Sequence, residues 1–326
     1  MKIVALVHYS APHRMAGSET MLHTMLKASR DAGHEVLVVA TEMPEVSGEW
    51  IYDGVPGVSV QGLARGLAHV AAARPDLIVT HHQNATAGIQ MARRMGVKSA
   101  FLMHNDFGMN NQILAARPDL TVFNTEWMAR AWSHKAGAWM VVHPPVWAHE
   151  HATTPGDHVT LINLNEHKGG QIFSRLARHF PDLPFLGVTG GHGHQITHGH
   201  PDNVEVIPQT SDMKRDVWSR TKVLLVPSVY ESYGMVAVEA LASGIPVIAT
   251  PTPGLAEALG DGGRLVRRDA LAEWVMAIRE LMTDSAAYGA ASARALARSQ
   301  EMDPEGELRD WVRVTEGLCA GELLAA

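Results

Sequence analysis

Short runs of aliphatic and β-branched residues alternate with longer stretches of helical period from the first residues of the chain onward. In the first half, residues 2–7, 35–40, 77–80, 99–103 and 120–124 read as buried strands, with helices between them such as 19–32. Each strand run ends in polar or small residues. The pattern then stops at 143–156, HPPVWAHEHATTPG, which has three prolines and no period. It restarts with strands at 159–164, 185–189, 204–208, 223–226, 247–250 and around Leu265, and with helices at 170–179, 235–243 and 271–283. Such alternation predicts an α/β protein with parallel sheets, because strand, helix, strand crossovers pair their strands in parallel. Two Rossmann-like domains are expected, 1–148 and 149–303, their parallel sheets facing across a ligand-binding cleft. The segment 304–326 follows a break at Asp303 and Pro304, reads as helical, and is expected to pack back on the first domain.

With 46% hydrophobic and 19% charged residues, the chain can fill two cores. A net charge of −7 gives no strong nucleic-acid signal, since phosphate-backbone binding rests on clustered Lys and Arg. The single cysteine, Cys319, makes no internal disulfide framework and reads as a small apolar residue. The apolar run at 2–7 is too short for a secretory leader, and no run of 18 apolar residues occurs. A cytoplasmic location is expected.

Chemistry concentrates in KVLLVPSVYESYGMVAVEALASGIPVIATPTPG, where Glu231 and Glu239 stand with seven residues between them across a strand-to-helix turn. Pro227 ends the strand, Gly234 opens the helix and Gly244 closes it. The amides of Gly234, Met235 and Val236 then precede the helical ladder, an arrangement suited to phosphate. The two carboxylates repel phosphate and suit the hydroxyls of a sugar or a ribose. Lys168, in NLNEHKGG after the strand 159–164, adds a point charge beside two glycines. Together these ask for a ligand that is part phosphate and part polyol. From spacing alone, a crossover helix with two solvated glutamates fits equally well.

The run PSVYESYGMVAVEALASGIPVIAT, followed by Pro253 and Gly254, resembles the E-x7-E donor-site motif of retaining GT-B glycosyltransferases, especially the GT4 group. Glu231, Gly234, Glu239, Ala240, Gly244 and Pro246 stand where that pattern has them, and Asp261, Gly262 and Gly263 resemble its following turn. The resemblance covers some 45 residues. It implies that Glu231 binds donor-sugar hydroxyls, that Ser232, Tyr233, Gly234, Met235 and Val236 hold sugar and diphosphate through backbone amides, and that Glu239 binds the ribose. It also implies that Lys168 neutralises the diphosphate. The family usually has an arginine five residues before that lysine, where this chain has Asn163.

In the first half, HYSAPHRMAGSE leads into a helix, so amides near Gly17 could face a phosphate; an ordinary strand-to-helix turn reads the same way. Similar enzymes carry two glycines here, and Ala16 replaces one. His104, after the strand 99–103, stands where many GT4 enzymes have a histidine facing the donor sugar; Asn105 and Asp106 are candidate acceptor contacts, and His81, His82 and Asn84 follow another strand. The loop GGHGHQITHGH, with His192, His194, His198 and His200, lacks zinc-motif spacing and reads as a surface loop whose start, at Gly190, covers a nucleotide base. The segment EWMARAWSHKAGAWM reads as a helix carrying Trp127, Trp132 and Trp139, either packed into its domain or in peripheral contact with a membrane.

The resemblance therefore implies a metal-independent enzyme that moves a sugar from a nucleotide-diphosphate sugar, UDP- or GDP-linked, to an acceptor hydroxyl with retention. His104, Glu231 and Lys168 would be its catalytic residues. Donor contacts would come from Gly17, Asn163, Lys168, Gly190, Glu231 to Val236 and Glu239. No cofactor and no metal ligands are assigned, and the acceptor hydroxyl could belong to a glycan, lipid-linked group, small molecule, protein or DNA. The alternatives are a non-catalytic nucleotide-sugar-binding subunit and a GT-B sugar-nucleotide epimerase.

Overall fold

The computed structural model describes residues 1–46, 48–191 and 193–322. His192 and residues 323–326 of the C-terminal segment lie outside the described residues. The chain divides into two compact units. One is Met1–Pro145 with the chain from Pro304 on, and the other is Val146–Asp303.

The first unit is built on eight strands: β1 (Lys2–Val7), β2 (Glu35–Ala40), β3 (Gly48–Tyr52), β4 (Val55–Ser59), β5 (Leu77–His81), β6 (Lys98–Met103), β7 (Leu120–Phe123) and β8 (Ala138–Val141). Their order is β3-β4-β2-β1-β5-β6-β7-β8, and every pair is parallel except the β3–β4 hairpin. The runs are continuous rather than alternating because helices cover both faces, so that β1 and β5 are buried almost throughout. The hairpin was not expected. Asp53 and Gly54, at φ +46° and +73°, join it in the left-handed conformation that two-residue turns require.

The helix Glu305–Ala320 belongs to this unit, where the fully buried indole of Trp311 donates from Nε1 to Ser29 Oγ at 3.0 Å. The tryptophan-bearing segment differs from expectation. Its helix spans only Glu126–Trp132, a 3-10 turn follows, and after Gly137 the chain becomes strand β8. Trp127 and Trp132 pack on the apolar cluster around Phe123 and Met128, while Trp139 on β8 meets Phe123 edge-on at 6.1 Å. The three rings do not share a helix face, which removes the membrane-surface helix. Among the described residues, no helix is long and apolar enough to cross a membrane.

The second unit has six parallel strands: β9 (His158–Ile162), β10 (Phe185–Val188), β11 (Val204–Ile207), β12 (Thr221–Val226), β13 (Val247–Ala249) and β14 (Gly263–Leu265). Their order is β11-β10-β9-β12-β13-β14. Along β12 the pleat sends Val223 and Leu225 to the core containing Trp274, and Leu224 and Val226 to the core containing Trp218.

Each sheet reverses its winding once. The first unit winds outward from β1 through β2 and β4 and then returns to β5 on the other side of β1; the second does the same from β9 to β12. Ligands of open parallel sheets settle beyond the carboxyl ends of the strands at such a reversal.

Candidate active site

In the second unit, the loops that leave β9 and β12 meet at the reversal. Lys168 comes from the first loop and Glu231 from the second, and Lys168 Nζ donates to Glu231 Oε1 at 2.5 Å. Ser228 Oγ donates to the same carboxylate oxygen at 2.9 Å. The pair is partly buried, with side-chain exposures of 29% for Lys168 and 14% for Glu231, so each charge keeps a face for a ligand.

Main-chain bonds and close packing fix these loops. Val229 N donates to His167 O at 2.8 Å, and Thr250 Oγ1 donates to Ser228 O at 2.6 Å. Arg268 joins both loops, donating from Nε to Pro227 O at 2.9 Å and from Nη2 to Glu166 O at 2.8 Å. Gly254 lets the helix Pro253–Leu259 touch the turn below it, since a Cβ there would lie 2.4 Å from backbone atoms of Glu231 and Ser232. At Gly169, φ +96°, a Cβ would lie 2.4 Å from the ring of Pro227.

The turn 232–236 reaches its helix through Gly234, whose φ of +107° lies where side chains strain the backbone. The ladder of Met235–Leu241 begins with Ala237 N and Val238 N bonding to Gly234 O, so the amides of Gly234, Met235 and Val236 precede it. Tyr233 is buried with Val146, Val238 and Ala258, which leaves its backbone rather than its ring to a ligand.

Glu239 lies inside that helix with its side chain 13% exposed. Burial pushes its carboxyl up to about 7, and the nearby Trp218 indole offsets part of the rise. His151 Nδ1 stands 3.8 Å from Glu239 Oε2. Burial, then Lys214 and His149, hold that imidazole down at about 4, so it does not supply a cation at neutral pH.

Asn163 follows β9 at φ +68°, a left-handed position that asparagine tolerates better than most residues. Its Oδ1 accepts from Gln195 Nε2 at 2.9 Å, while Gln195 Oε1 accepts from Gly190 N at 2.9 Å. Asn163 and Gly190 are therefore joined through Gln195. A Cβ on Gly190 would lie 2.3 Å from the Asn163 side chain, so glycine is required there. Of the histidines in this loop, His200 is tied back through Nε2 to Ile196 O at 2.8 Å and packs against Phe173.

The first unit places histidines at the carboxyl ends of three adjacent strands: His8 after β1, His81 at the end of β5 and His104 after β6. His81 Nδ1 and His104 Nε2 are hydrogen-bonded at 3.0 Å, and the His82 ring centre is 4.6 Å from that of His81 and 5.3 Å from those of His8 and His104. Burial dominates their ionisation. It holds His8 and His82 down at about 4 and His81 and His104 well below the usual imidazole range, with neighbouring imidazoles adding to the shift for all but His8. Asn124 Nδ2 donates to His104 O at 3.2 Å. Gly17 is exposed at the start of the helix Gly17–Asp31 in the same unit.

The sequence did not single out Arg268, Gln195, Trp218 or His8. Arg268 lies outside any motif, and its role depends on a fold that brings the loops after β9 and β12 side by side.

Residues 171–284 match the family model described as "Glycosyl transferases group 1". A D-inositol 3-phosphate glycosyltransferase of Rhodococcus opacus is 34% identical over 113 residues, 34% of this chain and 24% of the relative. That of Arthrobacter sp. is 37% identical over 111 residues, 33% of this chain and 24% of the relative. The chain thus spans about a quarter of the length of the curated relatives it matches. Among solved structures, sucrose-phosphate synthase from Thermosynechococcus elongatus superposes with a TM-score of 0.81 at 17% identity, covering 99% of this chain and 100% of that one. Anabaena HepE in complex with UDP-glucose gives 0.80 at 18% identity, covering 97% and 100%.

Proposed function

From a chain that carries a group 1 glycosyltransferase domain and has the GT-B fold, we propose transfer of a glycosyl group from a nucleotide-diphosphate sugar to an acceptor hydroxyl. The observation that carries this reading is the Lys168–Glu231 pair at the β9–β12 reversal, with Glu239 on the helix that follows. A cation and a carboxylate sharing one exposed edge suit a ligand that is anionic on one side and hydroxylated on the other. In this reading Lys168 takes the diphosphate, Glu231 turns its second oxygen to the sugar hydroxyls, and Glu239, once ionised, accepts from the ribose. The amides from Gly234 to Val236 add donors to the phosphates.

The difficult step is loss of the diphosphate from the anomeric carbon, so fixed positive charge at the leaving group lowers the barrier more than a strong base does. Lys168 and the turn amides supply it without a metal ion. The acceptor oxygen enters on the face the diphosphate leaves, which retains the anomeric configuration. His104, neutral and held by His81, acts as a hydrogen-bonding contact to the sugar. UDP- and GDP-sugars are the proposed donors; the Anabaena relative on the same fold holds UDP-glucose.

The test is a thermal-shift series with UDP-, GDP-, ADP- and dTDP-glucose, followed by nucleoside diphosphate release and the anomeric coupling constant of the product. Stabilisation by one donor, release of its nucleoside diphosphate and a retained anomer are expected. Asn163 supports a second reading, a binding subunit, because its amide is engaged by Gln195 rather than replacing the arginine charge. A donor that binds and is never cleaved with any acceptor selects that reading. Failure of every nucleotide sugar to bind would end both.

A further inference from the structure

The histidines of the first unit include a feature that the proposed transfer step does not use. His8, just after β1, and His81, at the end of the adjacent strand β5, are 6% and 0% exposed, and His8 Nδ1 and His81 Nε2 are buried nitrogens without a hydrogen-bond partner. Buried polar atoms are ordinarily satisfied, so two orphans on neighbouring side chains call for a ligand. Glu19, 5% exposed on the first turn of the helix Gly17–Asp31, faces the same point: His8, Glu19 and His81 each offer an atom, and these atoms all lie within 4.8 Å of one another.

We propose that His8, Glu19 and His81 bind one divalent transition-metal ion, zinc foremost, at the β1–β5 reversal of the first unit. Two imidazoles and one carboxylate are a donor set that zinc takes, with ligand bonds of about 2.0–2.2 Å. A tetrahedral arrangement of such bonds separates ligand atoms by about 3.3 Å, so the group needs only side-chain adjustment to close. The surroundings are already arranged for metal binding. His81 uses its other nitrogen, Nδ1, toward His104 Nε2, the kind of outer contact that fixes a ligating imidazole in one tautomer. With His81 donating from Nδ1, its Nε2 lone pair faces the ion. Ser18 Oγ donates to Glu19 Oε2 at 2.8 Å and steadies the carboxylate in the same manner. The ion would pin the helix Gly17–Asp31 to β1 and β5. No part of the transfer step runs through it, and the inference stands without that step.

The experiment uses the full chain, stripped with chelator and titrated with Zn2+ and with Co2+ by calorimetry and visible absorption, with no donor or acceptor present. One ion per chain is expected, a tetrahedral cobalt spectrum, and a melting temperature that rises with zinc concentration. His81→Gln and Glu19→Gln should each weaken binding by more than about 100-fold, and His104→Ala by about 10-fold through loss of the outer contact. His194→Gln/His198→Gln in the second unit should leave it unchanged. No ion bound by the native chain, unchanged affinity in His81→Gln, or loss of binding in the His194/His198 variant overturns the proposal. X-ray absorption on the native zinc protein decides the matter even if the variants do not fold. Two imidazoles with an oxygen ligand uphold the site, and a sulfur shell or any other imidazole count refutes it.

Discussion

Lys168 and Glu231, 63 residues apart in sequence, share a hydrogen bond of 2.5 Å at the point where the second sheet reverses its winding. Each neutralises the other. A donor that places phosphate on one and hydroxyls on the other divides the pair's charge between two ligand groups, so the two residues should act as a unit.

Lys168→Ala and Glu231→Ala are each expected to lower kcat/KM for transfer by about 100-fold or more, the usual scale for losing one fixed charge or donor at a leaving group. Circular dichroism of both should match the native chain. The double variant should lose less than the product of the two single losses, because the residues serve one ligand. Near-native turnover in either single variant would place the donor elsewhere.

Glu239 gives the protein a pH dependence with a defined sign. Its carboxyl titrates at about 7 in the folded chain against an ordinary 4.5, so its contribution to stability is full below about pH 4.5 and is lost as pH rises through 7. Glu239→Gln, which stays neutral, should therefore gain stability over the native chain as pH rises, by at most about 3 kcal/mol above pH 7. Donor affinity of the native chain should strengthen over the same range, as the ribose acceptor ionises. A stability gap that is flat from about pH 4 to about pH 8 in chemical denaturation would contradict the buried, protonated Glu239.

Gly254→Ala puts a methyl group 2.4 Å from the backbone of Glu231 and Ser232, atoms that cannot swing aside. A loss of about 1–3 kcal/mol and a raised donor KM are expected. Gly108→Ala, with nothing within 4 Å of the added Cβ, is the control and should stay within about 0.5 kcal/mol. Equal melting temperatures for the two variants would show that the turn has slack.

Arg268→Ala releases the carbonyls of Pro227 and Glu166 together, and should raise donor KM while costing about 1–3 kcal/mol of stability. Arg268→Lys should not restore KM, because a single ammonium lacks the fork that reaches both carbonyls. Full rescue by lysine would show that charge alone matters at this position.

Strand and helix periods made the two parallel sheets legible, since buried parallel strands are continuous apolar runs. The β3–β4 hairpin was not, because β3 is largely exposed and β4 carries Pro56 and Gly57, although Asp53–Gly54 was a turn signal that could have found it. Strand β8 was hidden behind a run of tryptophans at helix-like spacing, and Gly137 is the break that separates the two. At the candidate site, the sequence named Lys168, Glu231 and Glu239 but not what surrounds them. Trp218 and His151 reach Glu239 from outside its motif, and Arg268 acts only through main-chain carbonyls, which no residue pattern records. The convergence of His8, Glu19 and His81 depends on β1 and β5 being neighbours, an adjacency set by sheet order rather than by spacing.

The seat of Trp311 against Ser29 affects how the chain is made. Residues 146–303 are one contiguous stretch made before Trp311, the partner that covers Ser29 on the helix Gly17–Asp31. The second unit has all its residues before Trp311 is added, whereas the first keeps an uncovered helix face until Trp311 is in place.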